Sequence, residues 1–142
     1  MRISAKAEYA CLAVLELARR FDQAEPVRAS DIAEANQIPQ RFLVQILLQL
    51  KGAGFVISTR GASGGYRLAE EPAKINLWDI IETIDGPMEG SHADQAGGQS
   101  VGWKVFRRVW EEVARAEQEQ LQQIDFAQLV EQSHSNAPMY YI

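Results

Sequence analysis

The residues most able to do chemistry lie in Thr59-Arg60-Gly61-Ala62-Ser63-Gly64-Gly65, where one arginine sits among three glycines and two hydroxyls. Glycine lets backbone approach a ligand closely, and a cation held at such a tip suits a phosphate or the narrow negative groove of a duplex. The segment is not a nucleotide-binding P-loop, because no Lys-Ser or Lys-Thr follows the glycines. A second polar set, Gln40, Arg41, Gln45 and Gln49, precedes it. Glutamine and arginine at helical spacing are the side chains that pair with base edges. The bland alternative is an ordinary solvated face. Against it, residues 36–68 carry Arg41, Lys51, Arg60 and Arg67 and no acid at all.

Other reactive side chains do not converge. One cysteine, Cys11, cannot close an intrachain disulfide or hold a zinc ion alone. It lies on an apolar helix face and reads as a small core residue, a poor redox sensor. His92 with Asp94 gives two ligands in a glycine-rich stretch, which is not a metal site. Asp125, Ser133 and His134 form no triad, because nothing in the spacing brings them together. No catalytic set emerges, so an enzyme is not expected.

The elements that must position the polar sets follow from periodicity. Ser4 caps a helix over residues 5–20, with Ala7, Cys11, Val14, Ala18 and Phe21 on its core face. Pro26 marks a connection, and Ser30 or Asp31 caps a short second helix through Ala35. A turn at residues 36–38 leads to Pro39, which opens a third helix over residues 39–53. Its buried stripe is Leu43, Ile46, Leu47 and Leu50; Gly54 ends it. Residues 55–58 and 66–68 have strand composition and flank the glycine tip as a hairpin. Leu77, Ile80, Ile81 and Ile84 give a fourth helix. Residues 86–102 hold half of the ten glycines and read as a linker. Trp103, Phe106, Val109, Trp110 and Val113 then make an apolar stripe on a long helix reaching about Gln123, backed by Glu111, Glu112, Arg115, Glu119 and Gln122. This stripe reads as a dimer seam rather than a ligand cage. Asp125 caps a last short helix with Phe126, Leu129 and Val130 inward, and residues 133–138 look loose.

The domain organisation expected is therefore a unit over 1–85, a flexible linker over 86–102, a dimerisation helix and short C-terminal helix over 103–132, and a tail over 133–142. The fold class is mainly α with a small β wing: a winged helix-turn-helix plus a long C-terminal dimerisation helix. Composition agrees with one globular domain of 142 residues, 46% hydrophobic and 23% charged. The net charge of −5 is uneven. Residues 1–75 carry 10 Lys+Arg against 8 Asp+Glu, and residues 76–142 carry 4 against 11. A local basic surface can bind phosphate while the rest repels it. No stretch reaches the ~18 apolar residues of a membrane helix, and Glu8 and Glu16 interrupt the first apolar stretch, which argues against a signal peptide. A cytoplasmic protein is the expectation.

Tyr9-Ala10, Ile32-Ala33, residues 38–50 and above all Ser58-Thr59-Arg60-Gly61-Ala62-Ser63-Gly64-Gly65-Tyr66-Arg67-Leu68 resemble the Rrf-two type family of bacterial winged-helix regulators, which includes IscR, NsrR and CymR. The resemblance covers nearly the whole chain. It implies a homodimeric regulator of transcription that binds double-stranded DNA, with Gln45 matching a base-contacting glutamine and Arg60 the wing arginine. Gln40, Arg41 and Gln49 on the third helix, and Ser58, Gly61 and Ser63 around the wing, complete the expected interface; Arg67 either joins it or braces a wing strand. Cluster-binding members carry three cysteines between the fourth helix and the dimer helix. Residues 91–100 have none here, so an iron–sulfur cluster is not expected, nor any other cofactor. What remains resembles the cluster-less branch, of which CymR, a repressor of cysteine metabolism, is the model. The ending Met139-Tyr140-Tyr141-Ile142 resembles the aromatic, isoleucine-terminated tails of that branch and of serine acetyltransferases. Those tails insert into cysteine synthase (O-acetylserine sulfhydrylase), so the resemblance implies Tyr140, Tyr141 and Ile142 as a partner-binding tail. The same tyrosines would equally fold back on a neighbouring helix. Two other readings stay open: a regulator whose small-molecule or metal signal binds between linker and dimer helix, and a winged-helix protein adaptor that does not bind DNA.

Overall fold

The computed structural model describes residues 2–87 and 100–136. Helix α1 (Ala5–Arg19) begins where expected, because the Ser4 hydroxyl accepts a hydrogen bond from the Ala7 N–H at 3.0 Å. Ser4 also donates its backbone N–H to Asp85 Oδ2 at 3.1 Å and its hydroxyl to Asp85 Oδ1, which ties the start of α1 to the end of a later helix. Small residues Ala7, Ala10 and Ala13 line the buried face of α1 beside Val14, Leu17 and Ala18. Cys11 and Phe21 are only half-buried, so the core face is rotated slightly from the expected stripe.

Helix α2 (Ala29–Asn36) starts before the expected Ser30 or Asp31 cap. Its capping position is Arg28, whose side chain makes no cap bond. The reason lies one residue earlier. Val27 pairs with Tyr66 through two backbone hydrogen bonds of 2.9 and 2.8 Å, which fixes the chain and launches the helix directly. The turn after α2 places Gln37 in the left-handed region, φ 53°, and Ile38 N–H returns to the Ala33 carbonyl. Glu16, 6% exposed, anchors this corner: its carboxylate accepts from Arg20 Nε at 2.7 Å and from Asn36 Nδ2 at 3.4 Å. Pro39 stands just outside helix α3 (Gln40–Gly52) rather than as its first residue.

Strands β1 (Val56–Thr59) and β2 (Gly65–Leu68) form the antiparallel hairpin, with Val56 opposite Leu68 and Thr59 opposite Gly65. Gly65 is required there. Its φ is +156°, and a Cβ would stand 2.5 Å from the Val27 carbonyl oxygen. A short 3-10 turn (Pro72–Lys74) leads to α4 (Leu77–Asp85), capped by the Asn76 side chain, which accepts from the Asp79 N–H at 2.9 Å.

Helix α5 (Val101–Gln122) begins earlier than expected, because Ser100 caps it through the Trp103 N–H at 2.9 Å. Gly102 therefore belongs to its first turn, not to the preceding linker; the rest of that expected linker, residues 88–99, lies outside the described residues. Helix α6 (Phe126–Asn136) also runs further than expected, so residues 133–136 are helical and not loose. Asp125 caps it as anticipated, accepting from the Gln128 N–H at 2.9 Å. The helix does not stay with α5. Phe126, 1% exposed, enters the core with Ile75 and Ile80, and two backbone bonds stitch the segments before α4 and α6 together: Leu77 N–H to Ile124 O at 2.8 Å and Phe126 N–H to Ile75 O at 3.0 Å. Helix α6 packs on α1. Among the described residues no helix is long and apolar enough to cross a membrane.

Candidate nucleic-acid interface

Helix α3 has two faces. Leu43, Ile46, Leu47 and Leu50 are buried against α1, α2 and α4. Gln40, Arg41 and Gln45 are exposed, as the helical spacing requires. Arg41 lies against Phe42, its guanidinium carbon 5.0 Å from the ring centroid, and Phe42 in turn touches the Tyr9 ring, centroids 5.9 Å apart. Gln49 differs from expectation. It is half-buried, and its Oε1 is fully enclosed with no hydrogen-bond donor. About one turn past Gln45, it sits at the edge of the face rather than in it. Two residues of the open face escaped the sequence reading: Val44 and Leu48, 54% and 63% exposed. Helical spacing from the buried leucines could have placed them; apolar character disguised them as core.

The wing is held to α3 and to the connection before α2. Lys51 donates from Nζ to the Ser58 hydroxyl at 2.7 Å, joining the end of α3 to β1, so Ser58 positions a cation. Arg28 donates to the Ala62 carbonyl and pins the wing tip. Arg67, for which bracing and DNA contact were both expected, makes bracing bonds: its guanidinium donates to the Gln23 carbonyl at 2.9 Å and to the Ala24 carbonyl, which commits two of its N–H groups to the protein's own loop. At the tip, Arg60, Gly61 and Ser63 are exposed, and Arg60 has no hydrogen bond or ion pair among the described residues. Gly61 takes φ +110°, and a Cβ on Gly64 would meet the Thr59 carbonyl oxygen at 2.2 Å, so the loop keeps its tight turn only with glycine at these positions. Helix α3 and the wing thus carry three exposed cations, Arg41, Lys51 and Arg60, in a stretch of chain with no acid between residues 36 and 68.

A second surface lies on α5. None of its 22 residues is buried, yet Val101, Val105, Phe106, Val109, Trp110 and Val113 are all large and apolar, with exposures from 43% to 81%. Trp103 is half-buried, and Phe106 stacks on Trp110 with centroids 6.0 Å apart. Val101 and Val105 extend the stripe that the sequence reading began at Trp103. The tail residues Tyr140, Tyr141 and Ile142, and His92 with Asp94, lie outside the described residues.

Three helices followed by a two-stranded glycine-tipped wing, with a long amphipathic helix beyond, are the build of a winged helix-turn-helix transcriptional regulator. The Rrf2 family model, described as an iron-dependent transcriptional regulator, matches residues 3–132, and the chain belongs to that family. It is 39% identical over 88 residues to the HTH-type transcriptional regulator CymR of Bacillus subtilis, a match covering 62% of this chain and 63% of that protein. Among solved structures it is similar to IscR of T. potens, with a TM-score of 0.79, 32% identity and coverage of 99% and 97% of the two chains. It is also similar to CymR, the global cysteine regulator of B. subtilis, with a TM-score of 0.77, 30% identity and coverage of 92% and 97%. The match spans 54% to 63% of the length of four curated relatives.

A thiolate-held iron–sulfur cluster does not fit the donors this chain offers. A thiolate-held cluster needs several cysteines, and the chain has one. Cys11 lies in an apolar cleft with Leu12, Leu15, Ile81 and Phe126. Burial, with Asp85 and Glu8 nearby, pushes its thiol up to about 12, which disfavours the thiolate a metal requires. Among the described residues no three His, Cys, Asp or Glu side chains are grouped to hold a metal.

Proposed function

We propose that the chain is a homodimeric regulator that binds double-stranded DNA and represses transcription. One observation carries the reading: α3 and the wing, a stretch of chain without an acidic residue, expose Arg41, Lys51 and Arg60, with Arg60 uncommitted at a glycine tip. Gln40 and Gln45 read base edges in the major groove, Arg41 and Lys51 meet phosphates, and Arg60, Gly61 and Ser63 reach the adjacent backbone or minor groove. Arg67 and Ser58 hold the wing in place, and Gln49 flanks the reading face. The α5 stripes of two copies pair to bury the exposed aromatics, which sets two recognition helices on one duplex. The test is selection of a duplex from a randomised pool by the full chain, followed by binding of the enriched sequence against a scrambled one. Equal affinity for both at physiological salt would refute sequence-specific regulation, and affinity indifferent to salt would favour a protein adaptor.

The finer reading places the regulator in sulfur or cysteine metabolism, with the tail residues Tyr140, Tyr141 and Ile142 docking in cysteine synthase. It is supported by the likeness to CymR and by the tail's sequence. O-acetylserine would compete for the enzyme site, separate the complex and weaken repression. Titration of the intact chain and of a version ending at Tyr140 against the enzyme, with and without O-acetylserine, tests it; binding unaffected by the deletion would sink it. A small-molecule signal is favoured by a different observation, a cavity of about 430 Å³ between α4 and α5 lined by Trp78, Glu82, Glu111 and Arg115. Ligand-induced shifts in melting temperature separate the two.

A further inference from the structure

We infer that Val44 and Leu48 are sequence-reading residues that recognise the 5-methyl groups of thymines in the major groove. The inference rests on the DNA-binding reading above and extends it to the base identity that the face selects. Outside α5, these two are the most exposed large hydrophobic residues among the described ones, at 54% and 63%. They stand one turn apart on α3, on the face of Arg41 and Gln45 and opposite the buried stripe of Leu43, Ile46, Leu47 and Leu50. A single exposed leucine needs no explanation. Two adjacent apolar side chains inside an otherwise polar and basic face do, because that face enters a groove lined by hydrogen-bonding groups. The thymine methyl is the apolar feature the major groove offers, and it distinguishes T·A from C·G at the same position. Four residues of helix advance ~6 Å along the axis, and successive nucleotides of one strand are ~3.4 Å apart. The two side chains therefore span about two base-pair steps, and the pair reads two thymines that close together. Gln45, which follows Val44 on the same open face, supplies the hydrogen bonds that fix which base lies alongside.

The test uses the full chain and a duplex enriched by it from a randomised pool, resynthesised with deoxyuridine in place of one thymine at a time. Uracil differs from thymine only by the missing methyl. At two neighbouring thymines in each half-site, the exchange weakens binding about fourfold, the effect of burying one methyl-sized group. In Val44→Ala or Leu48→Ala, the exchange at the matching thymine costs less than twofold, while the exchange at the other keeps its full effect. Both positions are exposed, so both variants keep the parent's melting temperature. A scan with no sensitive thymine overturns the inference, and so does a fourfold penalty that persists unchanged in both variants. Those outcomes leave DNA binding standing. Failure to enrich any duplex overturns the DNA-binding reading itself, and this one with it.

Discussion

Replacing Arg60 by alanine isolates the electrostatic part of the proposed interface. Arg60 is exposed, makes no bond among the described residues, and sits on a loop whose shape is set by Gly61 and Gly64, so its removal disturbs nothing else. Each protomer presents three exposed cations on this surface: Arg41, Lys51 and Arg60. Arg28 and Arg67 keep their charge but are left out of the count of phosphate contacts, because backbone carbonyls of the chain hold them, Ala62 for Arg28 and Gln23 and Ala24 for Arg67. A dimer then neutralises about six phosphates, and log K falls with log salt at a slope of about −5. The variant loses about two of the six, which brings the slope to about −3.6. Between 50 and 200 mM salt the parent loses roughly a thousandfold or more in affinity and the variant roughly a hundredfold. Fluorescence anisotropy of a labelled duplex across that range measures both slopes. An unchanged slope in Arg60→Ala means that the wing tip does not touch the duplex. A parent slope near zero refutes the assignment of the whole surface.

Four further outcomes follow from the packing. Phe126→Ala removes a ring that is 1% exposed in the core of the winged domain and destabilises it by about 3–5 kcal/mol, read by thermal or denaturant unfolding. Gly65→Ala forces a Cβ against the Val27 carbonyl at φ +156° and costs at least the ~1–3 kcal/mol of a strained backbone; DNA affinity falls with it because the wing moves. Trp110→Ala, in the exposed stripe of α5, shifts the sedimentation profile toward monomer while the monomer's helical content stays. The Cys11 thiol, pushed from 9.0 up to about 12 mainly by burial, resists iodoacetamide at pH 8 until the chain is unfolded. Because the folded state holds that proton more tightly than the unfolded one, its contribution to stability is complete below pH 9 and is lost as pH rises from 9 toward 12. Alkylation of the folded protein at the rate of a free thiol would contradict the shielding of this half-buried thiol in its apolar cleft.

The winged domain was legible because its signals are local. The α1 cap at Ser4, the stripe of α3 and the glycine tip each depend on residues within a turn or a hairpin, and periodicity reads such spans. Element ends were displaced by one or two residues where a distant partner decided them. Helix α2 starts at Ala29 because Val27 is paired to Tyr66, a contact between residues far apart in the sequence. Arg67 illustrates the same limit at the site. Its position on β2 beside the glycine tip leaves bracing and DNA contact equally open, and the folded path of residues 23 and 24 supplies the carbonyls that its guanidinium meets.

Helix α6 carries the argument one step further. Its stripe of Phe126, Leu129 and Val130 announced an apolar face but not which surface it would cover, and adjacency in sequence suggested α5. The structure gives it to α1 and to the core around Ile75 and Ile80. That leaves α5 with α4 as its neighbour, and with 22 residues of which none is buried. A helix that shows six large apolar side chains to water, its C-terminal end tied to the winged domain through Ile124 and Phe126, is a surface waiting for its equal. The same chain that closes its own core with α6 thereby frees α5 for a second copy. Domain stability and dimer affinity then separate: Phe126→Ala lowers the first, whereas Trp110→Ala lowers the second at unchanged melting of the isolated fold.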